Sequence, residues 1–128
     1  MGAKFLSEAW AEAVTDALNS HEGFTEAIHG VDLTIQFTVT GAPDGDITYY
    51  FAASGGSASV ALGELEEAEL QITNDLETAT AISKGDLNTE AAFFTGKLKA
   101  TGNLAKLMMN QRVISQWRAA TFPIEIDY

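Results

Sequence analysis

Cysteine is absent from the 128 residues. No disulfide supports the fold, and no thiolate can serve as nucleophile or metal ligand. Basic residues are scarce: seven Lys+Arg stand against 18 Asp+Glu, a formal charge of −11. Affinity for nucleic acid rests on Lys and Arg neutralising phosphates, so nucleic acid is excluded as a partner. The same deficit argues against electrostatic docking on anionic membranes. No uncharged apolar run approaches the roughly 18 residues of a membrane span, so stable membrane insertion is not expected. Met1 to Leu6 lacks the basic-then-apolar pattern of a secretory leader, and Ile126-Asp127-Tyr128 is not a peroxisomal address. The expectation is a soluble, cytoplasmic protein.

Groups that do chemistry are also few. The two histidines, His21 and His29, lie near Glu22 and Glu26, but their spacing matches no helical ligand pair. The acidic run Glu64, Glu66, Glu67 and Glu69 lacks the Gly and Asn/Asp spacing of a calcium loop and reads as a solvated connection. Gly55-Gly56 falls between two strand-like runs rather than before a helix, so it reads as a hairpin turn, not a phosphate cradle. No Gly-x-Ser-x-Gly occurs. No catalytic residue, metal site or cofactor is expected, and the chain reads as a non-enzyme.

What is present is apolar residue in ordered patterns. At 46 % hydrophobic, the chain can build a core, and its length suits one domain, residues 1–128. Leu6, Trp10, Ala13, Val14, Ala17 and Leu18 recur at helical spacing, with Glu8, Glu12 and Asp16 opposite. Phe24 and Ile28 suggest a short helical link before Gly30. From Val31 to Thr40 the period becomes two, with Val31, Leu33, Ile35, Phe37 and Val39 on one side. Ile47 to Ala53 and Ser59 to Leu62 follow as strands joined by short turns, an antiparallel meander. Leu70 to Thr73 is a fourth strand, and Asn74 with Glu77 predicts the cap of a helix ending at Gly85. A short helix through Phe94, a strand at Lys97–Thr101 and a helix from Leu104 to about Ala119, capped by Asn103 and stopped before Pro123, complete the order. Ile124-Glu125-Ile126 is a tail, read either as a strand or as an arm. The fold class is α+β: a largely antiparallel (mixed) sheet with helices packed on it.

The last long helix carries more large flexible hydrophobes than one core stripe requires: Leu104, Leu107, Met108 and Ile114 on one side, with Met109, Val113 and Trp117 turned around from them. Methionine pairs suit a deformable wall; deep burial or dimerisation explains the pattern equally. Gln111 interrupts the apolar face, and a buried amide there needs a partner.

Leu70-Gln71-Ile72-Thr73, Gly85-x-Leu87-Asn88, and above all Phe93-Phe94-x-Gly96-Lys97-Leu98-Lys99-x-x-Gly102-Asn103, with Leu104, Met108 and Gln111 at matching offsets, resemble the sterol carrier protein 2 (SCP2) family. The likeness spans roughly Val31 to Gln111 and is most specific in its last third. It implies a five-stranded mixed sheet covered on one face by helices, with an apolar tunnel between them. It further implies a carrier of fatty acid, fatty acyl-CoA, sterol or phospholipid. The tail departs from the leucine-rich lid helix of eukaryotic members, having Trp117 and Pro123 there, and the organisation resembles a bacterial single-domain member. On this reading Phe37, Tyr49, Phe51, Ile82, Phe93, Phe94, Leu104, Leu107, Met108 and Trp117 line the tunnel, with Gln111 as the polar contact; each also fits a core position. The alternative is an accessory or dimerisation domain of a lipid- or steroid-metabolising system with a closed core, motivated by the apolar tail and implying a homodimer. A small lyase or hydrolase would need His21 or His29 to face the cavity.

Overall fold

The structure, a computed structural model, describes residues 2–128. Along the chain the elements are β1 (Ala3–Lys4), α1 (Glu8–Ser20), α2 (Glu22–Ala27), β2 (Leu33–Thr40), β3 (Ile47–Ser54), β4 (Ser57–Leu62), β5 (Leu70–Asp75), α3 (Leu76–Lys84), α4 (Thr89–Phe94), β6 (Leu98–Gly102), α5 (Leu104–Met109), α6 (Gln111–Thr121) and β7 (Ile126–Asp127). Five strands form one sheet in the order β4-β3-β2-β5-β6. Only β2 and β5 run parallel within it; the other neighbours are antiparallel. The α+β reading with a mixed sheet holds.

The meander arises from local chemistry. Gly55 and Gly56 both take positive φ, 62° and 83°, and so close a two-residue hairpin between β3 and β4 whose twist suits the strands. Period-two patterning turns Leu33, Ile35 and Val39 inward, with Phe51 and Ala53 of β3 and Ala58 and Val60 of β4 beside them. The buried stripe of α1 — Trp10, Ala11, Val14 and Leu18 — packs on this face, while Glu8, Glu12 and Asp16 stay outside. Two side chains lock α1 to the edge strand β4. Thr15 Oγ1 accepts from Val60 N–H and donates to Val60 C=O, and Asn19 does the same with Ala58. These bonds satisfy edge-strand groups that would otherwise be left as a template for another chain.

Two boundaries differ from the sequence reading, each for a local reason, and one open alternative is decided. The N-cap of α3 is Asp75, not Asn74, and its carboxylate accepts from Thr78 N–H at 2.7 Å. Asn74 is paired on both sides, opposite Val39 and Leu98, whereas Asp75 is paired only with Thr40 and is free to turn into the helix. The final helix is two helices: Asn110, at φ −115° and ψ 33°, leaves the helical region, and its Nδ2 donates back to Lys106 C=O. The tail is a strand: β7 pairs parallel with β1, which brings the two ends of the chain together. Gly85 ends α3 at φ 83°, as expected of a left-handed C-cap.

The Thr78 hydroxyl and backbone N–H hold the Asp75 carboxyl below the usual carboxylate range. A lowered folded-state pKa adds stability that is complete above the unfolded value and is lost as pH falls through the folded value. Asp75→Ala is therefore expected to cost about 1 kcal/mol at neutral pH. The difference from the wild type should shrink on acidification below about pH 4. Urea denaturation midpoints across that range check both expectations.

Candidate ligand-binding site

The inner face of the sheet is not covered evenly. Leu33, Ile35, Phe51 and Ala53 are buried beneath α1 and α2, with Phe24 of α2 edge-on to Phe51 at 6.2 Å. Toward the other end of β2 and β3, Phe37, Ile47 and Tyr49 are half-buried. Register explains the grouping: Phe37 lies opposite both Tyr49 and Ile72, and Tyr49 lies opposite Leu62. Cross-strand partners share a face, so these side chains form one floor.

Aromatic contacts define it. Phe37 and Tyr49 stack with centroids 4.6 Å apart and planes within 6°. Trp10 meets Tyr49 edge-on at 5.1 Å, carried there by α1. From α6, Trp117 reaches Phe51 at 5.0 Å and Phe37 at 6.3 Å. Phe5 extends the series from Trp10 to Tyr128, at 5.5 and 5.1 Å. Sequence reasoning missed Trp10, Phe5 and Tyr128 as members. Trp10 was legible as a buried helix position, but periodicity does not say which ring of a distant strand it meets.

The expected lining residues divide. Phe37, Tyr49, Phe51 and Trp117 come together in this ring cluster, and Ile82 and Leu107 are half-buried beside the core. The others lie outward: Phe94 is 81 % exposed and Met108 69 %, Gln111 is exposed, and Phe93 and Leu104 are just over one-third exposed. Met109 is exposed too, while Val113 is buried. α5 buries none of its six residues. A salt bridge from Lys106 Nζ to Glu69 Oε2, 2.7 Å, ties it to the loop before β5.

Polar groups inside are few and singular. Thr78 is the one buried polar or charged side chain among the described residues. The Tyr49 hydroxyl has no hydrogen-bond partner among those residues, and desolvation by burial raises its pKa well above that of a free phenol. No fully enclosed side-chain nitrogen or oxygen lacks a partner among the described residues, so this hydroxyl is open to solvent. The indole N–H groups of Trp10 and Trp117 meet the same two conditions.

Nothing here assembles reactive chemistry. His21 caps α2, its Nδ1 accepting from Phe24 N–H at 3.1 Å, and His29 is exposed. Among the described residues no three His, Asp or Glu side chains are placed to hold a metal. A crevice of about 210 Å³ between α3 and the tail is lined by Ser83, Lys84, Thr121, Phe122, Ile124, Ile126 and Tyr128. It falls short of the several hundred Å³ usual for a ligand site.

The order of elements and the match over residues 11–115 to the SCP-2 sterol transfer family decide the relationship. The chain belongs to that family. Sterol carrier protein 2 from Gallus gallus is 32 % identical over 93 residues, which is 72 % of this chain and 16 % of that protein. This chain thus spans about one-sixth of the length of that curated relative. A crystal structure of sterol carrier protein 2 superimposes with a TM-score of 0.81 at 22 % identity, covering 95 % of this chain and 100 % of the other. The solution structure of a conserved hypothetical protein from Thermus thermophilus, described as possibly a sterol carrier protein, gives 0.70 at 24 % identity, with 93 % of each chain covered. These two likenesses establish the fold. Family membership itself rests on the sequence matches.

The division between inner rings and outer hydrophobes has a measurable consequence. Phe51→Ala, at a fully buried position, should cost roughly 3–5 kcal/mol. Phe94→Ser and Met109→Ser should each change stability by no more than about 0.5 kcal/mol. Chemical denaturation of the three variants tests this; a loss at Phe94 or Met109 comparable to that at Phe51 would contradict the placement.

Proposed function

We propose that the chain is a non-enzymatic carrier, acting in the cytoplasm, that holds one hydrophobic ligand between its helices and the inner face of the sheet. Fatty acid, fatty acyl-CoA, sterol and phospholipid fall within this reading. One observation carries it: a floor of half-buried aromatic side chains around Phe37 and Tyr49, on the helix-covered face of the sheet, that the helices do not enclose. A core evolved only for packing would enclose these rings. Burying an acyl chain gains about 0.8 kcal/mol per CH₂, so a carrier needs no reactive side chain to hold its cargo. Family membership supports the reading, and so do the names of the relatives.

In this proposal Phe37, Tyr49, Phe51 and Trp117 form the floor, and Ile82 and Leu107 the flanks. α5 serves as the movable wall, since it buries none of its side chains fully and is held by half-buried Leu107 and one partly exposed ion pair. Phe93, Phe94, Leu104, Met108 and Gln111 would then touch cargo during entry, when α5 shifts, rather than line the closed site. A second reading rests on length. The curated relative is about six times longer than the matched region, so the domain could instead serve a lipid- or steroid-metabolising partner enzyme, as an accessory or dimerisation module.

Native mass spectrometry after incubation with a mixed lipid extract, and displacement of a fluorescent fatty acid, test the carrier reading. A one-to-one complex at micromolar ligand is expected. Leu107→Trp, which adds bulk at a half-buried wall, should weaken binding at least roughly tenfold with the melting temperature held; this corresponds to about 1.4 kcal/mol. Absence of any bound lipid, with the protein folded, would overturn the proposal in favour of the accessory module.

A further inference from the structure

We propose that the open edge of β6 is the interface of a homodimer, in which the β6 strands of two copies pair antiparallel about a two-fold axis at Ala100 and join the two sheets into one. This interface stands apart from the carrier reading and does not rest on it.

The sheet has two edges, and they are finished differently. At β4, Thr15 and Asn19 of α1 occupy the outward N–H and C=O groups of Val60 and Ala58. At β6 nothing among the described residues does so. The bond from Asn103 N–H to Glu69 C=O, 2.9 Å, sets the alternation of the β5–β6 ladder. Lys99 and Thr101 exchange bonds with Thr73 and Gln71, so Leu98, Ala100 and Gly102 turn their N–H and C=O groups outward. No backbone or side-chain bond among the described residues reaches those outward groups. An edge with such a row is a template for another strand.

A second copy fits this row. Outward groups pair only with outward groups, so a two-fold pairing that uses all three residues sets Ala100 against the partner's Ala100 and Leu98 against the partner's Gly102. Lys99 then faces the partner's Thr101 rather than a second lysine. Exposed apolar side chains flank the strand at both ends: Phe93 and Phe94 before it, and Leu104, Met108 and Met109 after it. Antiparallel pairing reverses one copy, and so brings the end of α4 in each copy toward the start of α5 in the other. At roughly 200 Å² per large side chain, these five expose on the order of 600 Å². A stable interface takes about 800 Å² per partner, and the paired edges supply the remainder.

Charge also selects this edge. From Ala91 to Ile124 there is no Asp or Glu, and five of the seven Lys and Arg lie in that stretch. Two copies of formal charge −11 can therefore meet here without carboxylates on the paired strands, while Lys97 and Lys99 are drawn to the acidic remainder of the partner.

The test follows wild-type protein over a wide dilution series by sedimentation equilibrium and by amide hydrogen exchange. A monomer–dimer equilibrium is expected. The Leu98 and Ala100 amides, open in the monomer, should gain protection as concentration rises. Ala100→Pro removes one outward N–H and leaves the bonds to β5 whole; it should weaken the dimer at least roughly tenfold. Phe94→Ser, at an exposed position outside the strand, should weaken it severalfold and decides the matter if the proline disturbs folding. A chain that is monomeric at every concentration would overturn the proposal. So would a dimer that protects other amides but not those of Leu98 and Ala100, or one that folded Ala100→Pro or Phe94→Ser leaves unchanged. Lipid binding is not read in any arm, so failure here leaves the carrier reading standing.

Discussion

Phe37 and Tyr49 face each other across β2 and β3, ring on ring, on the side of the sheet that the helices cover. Much of the fold can be traced outward from that pair. Stacking at this distance requires the two strands to keep a register in which all inward side chains point inward; a slip of one residue would turn the whole set to solvent. With register fixed, Phe51 falls two residues along on the same face, where Phe24 and Trp117 cover it. Trp10 of α1 completes the ring series on Tyr49 and passes it, through Phe5, to Tyr128 at the far end of the chain. Segments distant in sequence thus share one aromatic network, and the short β1–β7 pairing sits at its end.

Against this ordered interior stands a C-terminal region whose apolar residues point both ways. Val113 and Ala120 of α6 are buried and Trp117 joins the ring network, so α6 is held by burial. α5 is held less firmly: it buries no side chain fully, and Leu107 is the one that packs on the core. Leaving Met108 and Met109 in water forgoes stabilisation of roughly 1.5–3 kcal/mol each, and the Lys106–Glu69 pair, partly exposed, restores at most about 1 kcal/mol. An apolar segment that gains so little from its resting place can leave it at small cost. That is the energetic condition for a wall that must open and close over hydrophobic cargo, and it places the low-stability end of the molecule beside the proposed site.

The sheet, the meander, the hairpin at Gly55-Gly56 and the acidic outer side of α1 were legible because each depends on local periodicity and turn chemistry. The direction of the final helices was not. Periodicity groups Leu104, Met108 and Gln111 on a face but does not say whether that face turns in. Asn110 then resets the phase. Leu107 and Val113 both approach the core although, six residues apart, they would lie about 120° apart on one straight helix. Asn110 carries no sequence signal strong enough to announce the break, since Asn is only mildly unfavourable within helices. The Asn74-for-Asp75 error has a similar origin: two adjacent capping residues are both competent, and pairing of Asn74 with β2 and β6 decides between them. In the candidate site, the strand aromatics and Trp117 were named together on the family reading, whereas the contact of Trp10 with Tyr49 depends on tertiary packing.

Charge distribution joins these observations. The chain carries 18 acidic residues, yet the layer between helices and sheet contains no buried charge among the described residues. Excess like charge on the surface adds repulsion between copies of a protein that exposes Phe94, Met108 and Met109. A charge-free interior keeps the resting layer free of groups that would demand a partner when cargo leaves. A buried ion pair there would bind a charged head group well but would be left desolvated and unpaired at each release. On the proposed carrier reading, an interior that holds its cargo by apolar area would release it without leaving a charge desolvated and unpaired.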